Sequence, residues 1–186
     1  MIKYLYLHCQ LLFIGINPHE GSFNRSVPFS NNKMFWFLLS RAGIISETIE
    51  ELREDRKLKQ IYDEKFNRIY KLGFINIIER PTHDVSLLKK GEEMPGVNKI
   101  DSIIRIHKPR IVCFIGKVTY QKFTGTKDIT FGWQPDLYNS KIYVMHFPIR
   151  GEASVRVNEL KEVAAYAFPS RPVSSQTEAK KQNIKE

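Results

Sequence analysis

An apolar run of strand length, residues 11–16, stops abruptly at Gly15-Ile16-Asn17-Pro18. A polar, turn-prone loop follows, and then a short aromatic run of helical character, KMFWFLL at 33–39. A run this apolar reads as a buried strand, and in an α/β sheet ligands bind outside the carboxyl ends of the strands. Asn17 therefore stands where such a sheet displays a binding or catalytic side chain.

The same alternation recurs along the chain. Residues 33–42 read as a helix with six consecutive apolar residues, buried on most sides. Residues 46–72 are strongly charged and helical in pattern, with a break expected near Asp55 and with Ile49, Leu52, Ile61, Phe66, Ile69 and Tyr70 facing inward. Gly73 punctuates, and 74–78 is the second expected strand. Ile100, Ile103, Ile104 and His107 fall at i, i+3, i+4, i+7, so 98–107 is predicted as an amphipathic helix ended by Pro109. Residues 111–115 form an unbroken apolar run of the kind buried on both faces. A short helix over 117–123 opens at Gly116, a fourth strand covers 142–146, and a last helix over 152–168 turns Val157, Leu160, Ala164 and Phe168 inward. Strands alternating with helices predict a three-layer α/β/α sandwich around a short, mainly parallel four-stranded sheet. One domain is expected over 1–168. The segment 169–186, rich in Ser, Pro, Gln and Lys with no apolar period, is expected to be a disordered basic tail.

Charge narrows the function classes. The chain has 29 Lys and Arg against 20 Asp and Glu, a net charge of +9 that suits a polyanionic partner. No apolar run approaches the roughly 20 residues needed to span a bilayer, so no membrane is expected and the protein reads as intracellular. Cys9 and Cys113, the only two cysteines, lie in apolar surroundings and without CxxC or CxxH spacing. They read as buried free thiols, and no metal site or other cofactor is expected.

Four blocks, in order, carry a resemblance. They are GINP with the later Phe35-Trp36 pair, NIIERPTHDVSLL at 76–88, KPRIVCFIGKVTYQKF at 108–123, and IYVMHFPIRGEASVR at 142–156. Together they resemble the mismatch-specific uracil-DNA and thymine-DNA glycosylases, one branch of the uracil-DNA glycosylase superfamily. The resemblance runs from about residue 11 to 168. It implies an enzyme that flips uracil, or mismatched thymine or a related damaged base, out of double-stranded DNA and leaves an abasic site for base excision repair. A monomer is expected and, since the motif holds no obvious Schiff-base lysine, a monofunctional mechanism.

The chemistry gives these positions roles. Breaking an N-glycosidic bond builds positive charge on the sugar and negative charge on the departing base, so the pocket needs an oriented water near the sugar and donors near the base. An amide orients water without being a strong base, and the resemblance puts Asn17 in that role; a turn residue before proline is the plain alternative. Phe29 aligns with the aromatic ring that stacks on the flipped base, beside Gly15, Ile16 and Asn32 as further base-binding positions; an ordinary core Phe is its rival reading. His146, at the start of the second motif, is the candidate donor to the base carbonyl, or else a strand-end histidine satisfied by backbone. An extra residue before Pro148 sets this motif apart from the family pattern. Lys117, Arg150, Ser154 and Arg156 are the expected DNA contacts, Arg150 and Arg156 at a wedge or at phosphates and Lys117 at a phosphate or else a plain surface lysine, with Ile149 or Val155 as the apolar part of a wedge. Arg80-Pro81-Thr82 is expected to organise the rim, with Arg80 paired to Glu79 or another acid. His19 and Glu20 replace the family's Gly-Leu and read either as catalytic neighbours or as a solvent-facing pair. The alternatives in function are a damage-binding protein with little catalysis, a glycosylase for another deaminated base, and a small-molecule enzyme such as a nucleoside hydrolase.

Overall fold

The computed structural model describes residues 1–170, so 171–186 of the expected tail lie outside the described residues. Alternate residues of each apolar run serve two different cores. In β1 (Leu11–Gly15), Leu11 and Phe13 face one hydrophobic layer while Leu12 and Ile14 face the other. In β3 (Ile111–Ile115), Ile111, Cys113 and Ile115 face the first and Val112 and Phe114 the second. A strand covered on both sides has no position at which a polar residue is cheap, which is why these runs are unbroken.

β2 (Leu72–Asn76) pairs parallel with β1, β1 with β3, and β3 with β5 (Ser140–Met145). The sheet has five strands rather than the expected four, in the order β2-β1-β3-β5-β4. The added strand, β4 (Gly132–Leu137), runs antiparallel to β5 at the edge. Its sequence, GWQPDL, hides it: Pro135 and Asp136 read as turn residues, and an edge strand tolerates both because one side pairs with nothing. The register slips between Gln134 and Leu137 accordingly. β2 begins two residues before the expected start, and the expected pairing of Ile77 and Ile78 continues beyond it as bonds to the Gly15 and Ile16 carbonyls, 2.9 and 2.8 Å.

The first core is covered by α2 (Met34–Arg41), α3 (Ile49–Arg53), α4 (Asp55–Gln60) and α7 (Ala153–Ala167). The charged stretch is broken at Glu54, which is extended, so the expected interruption sits at the start of α4. Thr48 and Glu51 close a capping box on α3, satisfying its first free N–H groups. A π-turn over Ile61–Phe66 follows and presents Tyr62 and Phe66 to Trp36, ring centroids 6.1 and 5.3 Å away. Ile69, expected inside, is 58% exposed, and Leu58 and Tyr62 do the packing instead. On α7 the buried face is Arg156, Glu159, Leu160, Val163 and Ala167, rotated from the expected one.

The second core is covered by α5 (Met94–His107) and α6 (Lys117–Thr124). α5 starts before the expected residue 98 because Pro95 lies in its first turn, where a missing N–H costs nothing. Cys9 and Cys113 are buried free thiols, as their surroundings suggest, and burial raises the Cys9 thiol to about 12. No described helix is long and apolar enough to cross a membrane.

α5 approaches the chain just beyond β2, at Ile77, with no side chain between the two backbones. A Cβ on Gly96 would lie 1.6 Å from the Ile77 carbonyl oxygen. We expect Gly96→Ala to push the helix outward and cost about 1–3 kcal/mol or more, as overpacking does. Urea titration of the variant measures this, and an unchanged midpoint would mean that α5 slides without cost.

Candidate active site

The carboxyl ends of β1, β2 and β3 open into a cavity of about 390 Å³, lined by Gly15, Asn76 and Ile115 from the three strands. That volume falls in the range of about 300–1,000 Å³ usual for small-molecule sites. The chain leaves β1 to one side for β2 and returns on the other side for β3, so the cavity lies at a topological switch point.

Gly15 and Asn76 are register partners at the ends of their strands. A Cβ on Gly15 would lie 2.3 Å from Asn76 Oδ1 and 3.3 Å from the Phe74 ring. The missing side chain on one strand is what admits the carboxamide of the other. Asn76 is buried beside the Tyr4 hydroxyl, which burial holds protonated up to about 12, with the Asn76 contact working against the rise.

Asn17 follows β1 and enters the same cavity. Its amide nitrogen donates to Thr82 Oγ1 at 2.7 Å, and to the Pro18 and Arg80 carbonyls at 3.3 and 3.4 Å. Thr82 spends its own proton on the Asp84 carbonyl, 2.8 Å away. The Thr82 oxygen can therefore only accept from Asn17, and this fixes which end of the amide is which. Asn17 Oδ1 has no donor among the described residues, and Asn17 lines the cavity. Thr82 is itself anchored by its amide on the Pro18 carbonyl, 3.1 Å.

Phe29 lines the opposite wall with its backbone at φ +54, an uncommon conformation for a bulky residue. Two bonds fix the turn: Trp36 Nε1 donates to the Pro28 carbonyl at 2.7 Å, and Lys33 N to the Phe29 carbonyl at 3.2 Å. The Phe29 ring is braced by Phe35 at 4.8 Å and Phe74 at 5.4 Å. Asn32 reaches the cavity, but its Oδ1 accepts the Met34 amide and opens α2. Ile16 also lines the cavity, and its carbonyl is taken by Ile78.

The second motif is arranged differently from the sequence expectation. His146 does not line the cavity. Its ring stacks on Phe131 with centroids 3.5 Å apart, and its Nδ1 lies 2.7 Å from Glu159 Oε1. Phe147 takes the cavity wall in its place. Arg156 does not reach the surface: it is 3% exposed, and its guanidinium donates to the Arg150 and Gly151 carbonyls. A DNA phosphate cannot meet a side chain so enclosed. Arg150 lines the cavity mouth beside the half-exposed Ile149. Ser154 is exposed on α7, and Lys117 stands 4.5 Å over the Phe131 ring, away from the cavity. His19 and Glu20 are both engaged. His19 caps α1 (Glu20–Asn24) by accepting the Gly21 amide at 3.1 Å and lines the cavity, while Glu20 pairs with His83 at 2.8 Å.

Asn76 and Phe147 were missed by the motif reading. Asn76 had a signal: it ends an apolar strand, as Gly15 does in β1. Among the described residues, no group of three His, Cys, Asp or Glu side chains is placed to hold a metal ion. The rim is set by charge. Arg80 grips Glu92 through two bonds of 2.5 and 2.8 Å and donates to the Leu87 carbonyl, while Glu79 pairs instead with Lys99. Asp84 is held below the usual carboxylate range by the Ser86 amide, with Arg150 adding to the effect.

A family model described as the uracil DNA glycosylase superfamily matches residues 2–183, nearly the whole chain.

The Arg80 pairing, followed by the Lys89 amide, lowers the Glu92 carboxyl from 4.5 to about 2. A carboxyl depressed in the folded state contributes above its unfolded value and loses that contribution as pH falls through the folded one. The segment 80–92, which carries Thr82, should therefore loosen between pH 4.5 and about 2. We expect protection of the Thr82 amide to fall over this window in the wild type, and Glu92→Gln to show reduced protection already above it. Identical profiles would detach the ion pair from the loop.

Proposed function

Because the chain belongs to the uracil DNA glycosylase superfamily, whose members are DNA glycosylases acting on deaminated bases, we propose that it excises uracil from double-stranded DNA by the monofunctional route of the mismatch-specific branch. The observation that carries this reading is the Thr82-locked Asn17, its carbonyl oxygen without a donor among the described residues, on the lining of a cavity that also holds a braced aromatic ring and a buried carboxamide.

Each part answers a demand of the reaction. The base must leave the stack to be reached, and the cavity receives it. Phe29 offers a π-face for it to stack on. The Asn76 carboxamide has both a donor and an acceptor, which suits the imide edge of uracil and the charge that grows there as the bond breaks. Asn17 Oδ1 accepts from a water and turns its lone pair toward the sugar carbon. As the sugar gains positive charge the water attacks, the C–N bond electrons leave with the base, and the water's proton passes to solvent. Among the described residues no lysine lines the cavity, which agrees with hydrolysis by water rather than attack by an amine. His146 has no contact with the base in this scheme. The basic surface of a +9 chain supplies affinity for the phosphate backbone.

Excision from labelled duplexes containing G·U, A·U or G·T, and from single-stranded U, followed by alkaline cleavage, tests this directly. We expect product from G·U. Asn17→Ala should lower the rate by about 10²-fold or more, the cost of losing the orientation of the attacking water, with DNA binding retained. Gly15→Ala should also lower the rate, since the new Cβ displaces the Asn76 carboxamide. Undiminished excision by Asn17→Ala would remove the mechanism. Binding without product from any substrate would favour a damage-binding protein.

A further inference from the structure

Helix α7 holds the segment that precedes it at both ends, through two buried charged side chains one turn apart. Glu159, 8% exposed, accepts the His146 backbone N–H at 3.0 Å and pairs with the ring of the same residue at 2.7 Å. Arg156, 3% exposed, donates to the carbonyls of Arg150 and Gly151, the latter at 2.6 Å. Between the two grips stands the part of the chain that borders the cavity: Phe147 on its wall, then Ile149, 52% exposed, and Arg150 at its mouth.

Burying charges is costly unless their bonding capacity is met. Here Arg156 is met at both terminal nitrogens by the main chain of a surface turn, and Glu159 by the backbone N–H and ring of His146. The planar guanidinium fork suits two successive carbonyls, a geometry that an ammonium cannot reproduce. Arg156 Nε has no partner among the described residues, so the two carbonyl bonds carry the contact with the turn. Gly151 adopts φ +73 there, a conformation that favours glycine, and it stands beside the guanidinium.

We propose that Arg156 and Glu159 are positioning residues that keep 146–151 preformed as the element entering the base stack, so that discrimination between paired and single-stranded DNA is governed from α7. The inference rests on the glycosylase reading for its consequence in activity, though not for the clasp itself. A preformed loop binds without the ordering cost that a flexible one incurs. Flipping from a duplex costs unstacking and unpairing that a single strand does not exact, and an exposed Ile149 next to Arg150 has the composition of a wedge between base steps.

The test combines two measurements on full-length Arg156→Met, Glu159→Ala and Glu159→Gln. We expect Arg156→Met and Glu159→Ala to lose about tenfold or more in kcat/KM on a G·U duplex, mainly through KM, and to keep single-stranded excision within about twofold. Glu159→Gln should recover duplex activity, because its amide oxygen still accepts the His146 N–H. In the free proteins, amide exchange over 149–152 should accelerate about tenfold in the two disruptive variants while β3 is unaffected. If Arg156→Met does not fold, Arg156→Lys, which reaches one carbonyl rather than two, takes its place. Equal losses on both substrates, or unchanged exchange, would overturn the proposal. If the wild type cleaves neither substrate, the glycosylase reading fails, and the exchange data alone decide the clasp: acceleration supports it and unchanged protection removes it.

Discussion

The cavity depends on one register, the pairing of β1 with β2. Leu11 lies beside Leu72, and four residues later Gly15 lies beside Asn76. A slip by one residue would turn every side chain of the strand to the opposite face and set a Cβ-bearing residue against the carboxamide. The two hydrophobic layers prevent the slip, because each alternate residue of β1 belongs to a different core. Burial on both sides, which looks like a matter of stability alone, thereby determines where a polar group appears at the strand end.

A second dependence runs through Thr82. It lies more than sixty residues from Asn17 in the chain, yet its hydroxyl decides which way the Asn17 amide faces. The segment that brings it there is held by its amide on Pro18 and by the Arg80–Glu92 pair. The chemistry of the first motif is thus oriented by the second block, so GINP alone is a weak signal and GINP with Arg-Pro-Thr a much stronger one.

The legible parts of the sequence were those with one physical cause. β1 and β3 were plain because strands buried on both faces must be apolar throughout. That Asn17 and Phe29 border one cavity followed from a strand end and a turn, but their roles did not, since a turn residue before proline and a core Phe read the same way in sequence. β4 was hidden because an edge strand accepts Pro135 and Asp136. Phe147 rather than His146 meets the cavity because side chains leaving a strand alternate in direction. The extra residue before Pro148 reverses which of the two meets the cavity, and that consequence could have been drawn from spacing. Arg156 and Glu159 went unseen as core positions because charge suggested solvent. Their spacing with Leu160 and Val163 marks one helical face, and only the loop carbonyls and the His146 amide explain how charges can sit on it.

The bond from Trp36 to the Pro28 carbonyl has an optical consequence. Trp36 is fully buried, and its indole N–H is tied to the residue just before Phe29. The second tryptophan, Trp133, lies at the sheet edge with its N–H on Glu162. Any displacement of the Phe29 wall as the cavity fills pulls on a chromophore sealed in the core, and the emission of Trp36 becomes a built-in gauge of whether that cavity is occupied.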